Sequence, residues 1–381
     1  MTSAAFDFID RTDTASLKWD KYRGRDILPL WVADMDFAAP PAVLAAIGER
    51  LQHGVLGYTN PPDSLVEAVI EYARAHYGWA IEADWFVWLP GLVQGLNLAC
   101  RAVGQAGDAV LTATPVYPPF LRAPGLAERE LITVPLEDKG DYWGWDFAKL
   151  EAAITPATRL LLLCHPHNPV GRAWSRLELD TLLCIARRHN LVVCSDEIHC
   201  DLLLDDGLQH TPFANLDPEF AHQTITLLAP SKTWNLPGLG CSLALIPDPA
   251  LRARFRREMA GLVPSVNLFG YIAAEAAYRD DGRWHAELLD VLRVNRALLA
   301  DAFAGSPLKL TIPQATYLAW VDARSIDAEN PLPQFEALGV GLSDGRDFGF
   351  PGYLRLNFGC PTATLQQALE RMKPLLHPVG S

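Results

Sequence analysis

Ala229-Pro-Ser-Lys-Thr-Trp-Asn-Leu-Pro-Gly-Leu-Gly240 is a polar turn between two apolar runs, Thr224-Ile-Thr-Leu-Leu228 and Ser242-Leu-Ala-Leu-Ile246. Both runs have the length and composition of buried strands. Lys232 is therefore expected at a strand end, close to the protein interior. Burial disfavours an ammonium ion, and an amine kept partly neutral near neutral pH can condense with an aldehyde to a Schiff base. A Ser-Lys pair in a turn is also an ordinary surface feature, so its meaning depends on the other turns of the chain.

Upstream, apolar runs alternate with helical patterns. Trp85–Leu89, Asp108–Ala113, Leu160–Cys164 and Leu191–Ser195 read as strands. The stretch after Gly91, with Leu92, Leu96, Ala99, Cys100 and Val103 on one face, reads as a helix, as does Leu177–His189. This alternation predicts an α/β fold with a mainly parallel sheet covered on both faces. Such sheets bind ligands beyond the carboxyl ends of their strands, so the residues that follow each strand are the candidates. Gly91, Leu92 and Val93 open a helix whose free N–H groups suit an anion. Tyr117 sits in a proline-bracketed turn and could stack on a flat ring. Asn168, in His165-Pro-His-Asn-Pro-Val-Gly-Arg172, offers an amide donor. Asp196, with His199 one turn on, is a carboxylate at a buried strand end and needs a cationic or proton-donating partner. Cys164, His165 and His167 cluster, but without the paired spacing of a zinc site, so no metal is expected.

After about residue 265 the pattern changes to long helices (Leu268–Tyr278, Trp284–Phe303, Thr362 to about Leu375) and short strands (Tyr317–Val321, Tyr353–Phe358). This reads as a second, α+β domain with a seam at Gly261-Leu-Val-Pro264. The expected division is 1–45, an irregular arm and part of the small domain; 46–263, the large domain; and 264–381, the C-terminal small domain. Gly339–Gly352 reads as a long mobile or functional loop.

The 381 residues are half hydrophobic and carry a net charge of −13. That is a globular composition with an acidic surface that disfavours nucleic acid. No apolar run is long enough to span a bilayer, and no secretory signal is visible. Seven cysteines, an odd number set mostly in apolar runs, fit buried thiols in a reducing cytoplasm.

An anion cradle, a stacking aromatic, an amide donor, a carboxylate for a ring nitrogen and a Schiff-base lysine are together the parts that hold pyridoxal 5′-phosphate. The chain resembles fold-type I pyridoxal-phosphate enzymes of the class I/II aminotransferase superfamily. Leu30-Trp-Val-Ala-Asp-Met-Asp-Phe37, Ser195-Asp-Glu-Ile-His199, Ser231-Lys-Thr-Trp-Asn-Leu-Pro-Gly-Leu239 and Arg355-Leu-Asn-Phe-Gly-Cys-Pro361 are similar to the cystathionine β-lyase-type C–S lyases, the MalY/PatB group.

The resemblance implies a large domain with a mainly parallel seven-stranded sheet flanked by helices, a smaller α+β domain, and a homodimer with sites at the subunit interface. It makes Lys232 the cofactor lysine and Cα base, and Asp196 the partner of the ring nitrogen. Asn168 and His199 then sit near the ring oxygen, Tyr117 on the ring face, and Leu92, Val93, Gly91 and Ser231 at the phosphate. Tyr58 reaches the phosphate of a neighbouring subunit. Arg355 binds the substrate carboxylate, with Asp34 and Asn168 also on the substrate side. One departure is Gly240, where many relatives in the wider superfamily carry a phosphate-binding arginine. Another is the absence of an arginine after Cys360-Pro361, where Thr362 follows. Three readings stay open: a C–S β-lyase acting on cystathionine or another cysteine S-conjugate, an aminotransferase on the same scaffold, and a non-catalytic regulator that keeps the cofactor.

Overall fold

The computed structural model describes residues 6–378. Numbering only the longer elements, seven strands form the main sheet: β1 (Phe86–Leu89), β2 (Ala109–Thr114), β3 (Glu130–Pro135), β4 (Thr158–Cys164), β5 (Val192–Asp196), β6 (Thr224–Leu228) and β7 (Ser242–Leu245). Their order is β1-β7-β6-β5-β4-β2-β3. All neighbours are parallel except β7, which is antiparallel to both β6 and β1. The turn Ala229–Gly240 is too short for a helical crossover, so the chain must return beside β6 in the opposite sense. That return puts Lys232 at the sheet edge where β2, β4 and β5 also end.

Helices cover both faces of this sheet. α1 (Pro41–His53) starts with proline in its first turn, where a missing N–H costs least. α2 (Asp63–Tyr77) precedes β1, and α3 (Leu92–Ala102) buries Leu92, Leu96, Ala99 and Cys100 against the sheet, the stripe its spacing predicts. α4 (Pro118–Leu126) and α5 (Arg176–Arg188) follow β2 and β4. α5 opens with a Ser175–Glu178 capping box, and Glu178 also takes both oxygens to Arg172. α6 (Pro249–Met259) closes this part of the chain.

Beyond it, α7 (Leu268–Tyr278), α8 (Arg283–Phe303) and α9 (Thr362–Leu376) flank a second, antiparallel sheet. Its strands are β8 (Lys309–Thr311), β9 (Leu318–Asp322), β10 (Ser343–Asp344) and β11 (Tyr353–Asn357), in the order β8-β9-β11-β10. One apolar cluster joins Leu30, Met35, Phe37 and Val43 to Leu288, Leu292, Tyr317, Leu356 and Phe358, so the N-terminal arm is packed into the core of the C-terminal half.

Two readings need correction. The arm is not wholly irregular: Leu17–Asp20 is a helical turn capped by Ser16, and Leu28–Pro29 pairs in parallel with Val340–Gly341. For the same reason Gly339–Gly352 is not a free loop. It carries that strand, β10, and a 3-10 turn at Gly345–Phe348. Short strands made by one or two residues have no periodicity to read, and only the partner strand brings them out.

Candidate active site

A cavity of about 250 Å³ lies at the carboxyl edge of the main sheet. It gathers Gly91, Leu92, Val93, Tyr117, Asn168, Asp196, His199, Ser231, Lys232 and Arg355. Each lies at or just beyond the carboxyl end of a main-sheet strand, with Asp196 the last residue of β5, His199 in the turn after it and Leu92 and Val93 in the first turn of α3, except Arg355, which β11 of the second sheet supplies.

Lys232 lines the cavity and donates its Nζ to the Ala33 carbonyl at 2.6 Å. Burial pushes its amine down to about 8, against the pull of Asp34, with Arg355 pushing the same way as burial. Asp196 is buried and accepts the Ile198 N–H at 3.2 Å. Burial raises its carboxyl to about 7, since that one donor and Lys232 offset only part of the desolvation. Among the described residues no arginine or lysine forms a salt bridge with it. A buried carboxylate of this kind suits a cationic or proton-donating group of a ligand.

Arg355 is buried with no acidic partner in salt-bridge contact among the described residues. Its Nη1 donates to Asn168 Oδ1 at 3.0 Å, its Nη2 to the Trp31 carbonyl at 2.9 Å, and its guanidinium sits 4.7 Å from the Phe348 ring centre. Its Nε is buried without an acceptor. Burial lowers its pKa to about 10. A cation with an unused donor inside a cavity suits a carboxylate. The same contact orients Asn168: with Oδ1 on the arginine, the NH₂ group is left for a ligand oxygen.

His199 is buried, and its Nδ1 has no partner. Burial first, then Lys232 and Arg355, hold its pKa far below the ordinary value, so it is neutral. Tyr117 donates its backbone N–H to the Asn168 carbonyl at 3.2 Å, which locks the two turns together. α3 starts at Gly91 with no side-chain cap, so its first N–H groups are free for an anion. Gly240 has φ +58, and a Cβ there would lie 3.2 Å from the Pro90 carbonyl. An arginine at this position is therefore strained as well as absent.

Two residues named from the sequence are not brought to the cavity wall. Tyr58 stands fully exposed on the loop between α1 and α2. The Asp34 carboxylate turns to Arg11 Nη2 at 2.8 Å, in an adjoining depression. Sequence reasoning missed the main-chain wall at Val32 and Ala33, the apolar wall of Ile198, Pro237 and Cys241, and Tyr317, whose hydroxyl donates to the Ala33 carbonyl at 2.9 Å. Backbone acceptors have no letter in a sequence, and Tyr317 reads only as a strand residue.

The family model described as aminotransferase class I and II matches residues 25–372. The chain belongs to that family. Cystathionine β-lyase PatB of Bacillus subtilis (strain 168) is 40% identical over 96% of this chain and 98% of its own. The crystal structure of OvoB superposes with a TM-score of 0.96 at 45% identity, covering 99% of this chain and 100% of its own. The pyridoxal-phosphate-bound C–S lyase from Staphylococcus hominis does so with a TM-score of 0.92 at 30% identity, covering 99% of both. The α/β fold of the family is the fold described above.

Proposed function

We propose that this chain is a pyridoxal-phosphate-dependent C–S β-lyase that cleaves cystathionine or another L-cysteine S-conjugate to a thiol, pyruvate and ammonia. One observation carries the reading: a single cavity holds a buried amine, a buried carboxylate without a cation and a buried guanidinium without an acid. These are the complements of an aldehyde, a ring nitrogen and a substrate carboxylate. The 40% identity to a cystathionine β-lyase points the same way.

When bound, the cofactor supplies an electron sink for the pair left on the substrate's Cα. The residues do the rest. The α3 N–H groups and Ser231 hold the phosphate. Asp196 keeps the ring nitrogen protonated. Asn168 and His199 serve the ring oxygen, and Tyr117 covers the ring face. Arg355 takes the substrate carboxylate and so fixes which Cα bond faces Lys232. Lys232 Nζ removes the Cα proton as general base. The Cβ–S bond then breaks, its pair leaving on the thiolate, and the freed 2-aminoacrylate hydrolyses to pyruvate and ammonia.

The exposed Tyr58, beside exposed Val55 and Leu56, supports a homodimer in which each Tyr58 serves the partner's site. The charge of Asp34 acts on Lys232, which supports a part for it on the substrate side of the site. Seven unpaired cysteines support a cytoplasmic setting. Among the described residues no helix is long and apolar enough to cross a membrane.

An assay of pyruvate and thiol release across a panel of cysteine thioethers tests the activity. Stoichiometric release from at least one thioether is the expected result. Amino transfer to 2-oxo acids with no pyruvate from any thioether would reject it in favour of an aminotransferase.

A further inference from the structure

The stretch Trp31–Met35 has no regular secondary structure, yet its carbonyls are taken in succession by side chains. Arg355 takes Trp31, Asn357 Nδ2 takes Val32 at 2.6 Å and Asp34 at 2.8 Å, and Asn235 takes Met35 at 3.0 Å. The Ala33 carbonyl is the one that Lys232 takes among the described residues: it receives Lys232 Nζ at 2.6 Å and the Tyr317 hydroxyl at 2.9 Å. Tyr317 is fully buried. It follows Thr316, a β-branched residue held at φ +72, in the left-handed region such residues avoid. The Thr316 hydroxyl accepts the Leu318 N–H at 3.1 Å, which helps hold the strained turn. Strain of this kind persists where the surroundings fix it and concentrates at functional sites.

We infer that the Ala33 carbonyl, fixed in place by Tyr317, is a dock for the Lys232 ammonium that favours elimination over amino transfer. The inference rests on the C–S lyase reading above. When the Cα–H bond breaks, its pair stays on carbon and its proton bonds to Lys232 Nζ. An ammonium in a buried site needs an acceptor at once, and a hydrogen bond to the charged form stabilises it. Elimination asks nothing more of that proton than that the thiolate or water takes it later. Amino transfer requires the same proton to be delivered to a second carbon. A carbonyl that holds the ammonium slows that delivery and leaves time for the Cβ–S bond to break. Tyr317 is thus a positioning residue: it occupies one lone pair of the carbonyl and leaves the other aimed at the lysine.

Tyr317→Phe removes one oxygen and keeps the packing. In the cofactor-free protein, the pH midpoint for acylation of Lys232, read by mass spectrometry of its peptide, falls by about half a pH unit or more. In the holoenzyme turning over a cysteine thioether, pyridoxamine phosphate formed per pyruvate rises about tenfold, while KM stays near the wild-type value. An unshifted midpoint together with an unshifted product ratio in a folded Y317F overturns the dock. Should Y317F melt below the assay temperature, Asn357→Ser, which removes one donor from each carbonyl beside Ala33, is judged by the same two readings. If wild type releases no pyruvate but the midpoint still falls in Y317F, the lyase reading fails and the ammonium site stands.

Discussion

Asp196 and Lys232 are both shifted toward their neutral forms, one raised to about 7 and the other lowered to about 8. Each shift has burial as its first cause, so without a ligand the site is costly to charge. For Asp196 the folded value lies above the ordinary carboxylate value. The cofactor-free fold is therefore favoured below about pH 4 and loses stability as pH rises toward 7. Asparagine carries no such penalty. Cofactor-free Asp196→Asn is expected to melt at about the wild-type temperature near pH 4 and several degrees above it near pH 8. Equal melting at both pH values would show that the carboxylate is not desolvated. With the cofactor bound the variant turns over about 10²–10³-fold more slowly, because the fixed negative charge is gone. Lys232, Asp196 and Asn168 were readable in the sequence because each is a polar letter just after an apolar run. Arg355 was legible only through the family's motif, since nothing local marks a strand arginine as buried and unpaired. The Ala33 carbonyl was not readable at all.

The arm shows what an element without periodicity can do. Lys18 is fully buried, with its Nζ 2.7 Å from Asp36 Oδ2, and Arg11 spans Asp34 and Asp36 at 2.8 and 2.7 Å. Trp19 Nε1 adds a third donor to Asp36 at 3.0 Å. This ionic knot fastens the strap that forms one wall of the cavity. Breaking a buried pair leaves a charge without its partner, so Lys18→Met is expected to cost about 3 kcal/mol in chemical denaturation, softened by the two donors that Asp36 keeps. A loss below about 0.5 kcal/mol, the scale of an exposed pair, would mean that the knot is decorative. The elements read from the sequence were legible to within a residue or two, whereas β3, β8, α4 and α6 went unread. α7 spans Leu268–Tyr278, as its sequence pattern predicts, and β11 ends at Asn357, one residue short. Apolar spacing sets such elements, whereas the knot pairs Lys18 with a carboxylate 18 residues away and follows no repeat.

At the scale of the whole molecule, the two sheets meet at one cavity, and the exposed Tyr58 is not among the residues that line it. A site shared between subunits has a simple test. Lys232→Ala and Tyr58→Ala are each impaired alone, but in a mixed dimer one of the two sites has both residues. Random reassortment is expected to restore about a quarter of the wild-type activity. No recovery above the starting mixture would confine each site to a single chain. The main sheet was legible in six of its seven strands because alternating strands and helices dictate it; the edge strand β3, mostly exposed, went unread. The join between its edge and β11 was not, because contacts that bring Asn168 to Arg355 span 187 positions. The docking of the arm on the last part of the chain also has a consequence for biosynthesis. Position 33 leaves the ribosome long before position 355, yet both are walls of the same chamber. A nascent polypeptide has no complete vitamin-binding chamber until position 355 has been made, so products cut short before it cannot capture the coenzyme in competent form.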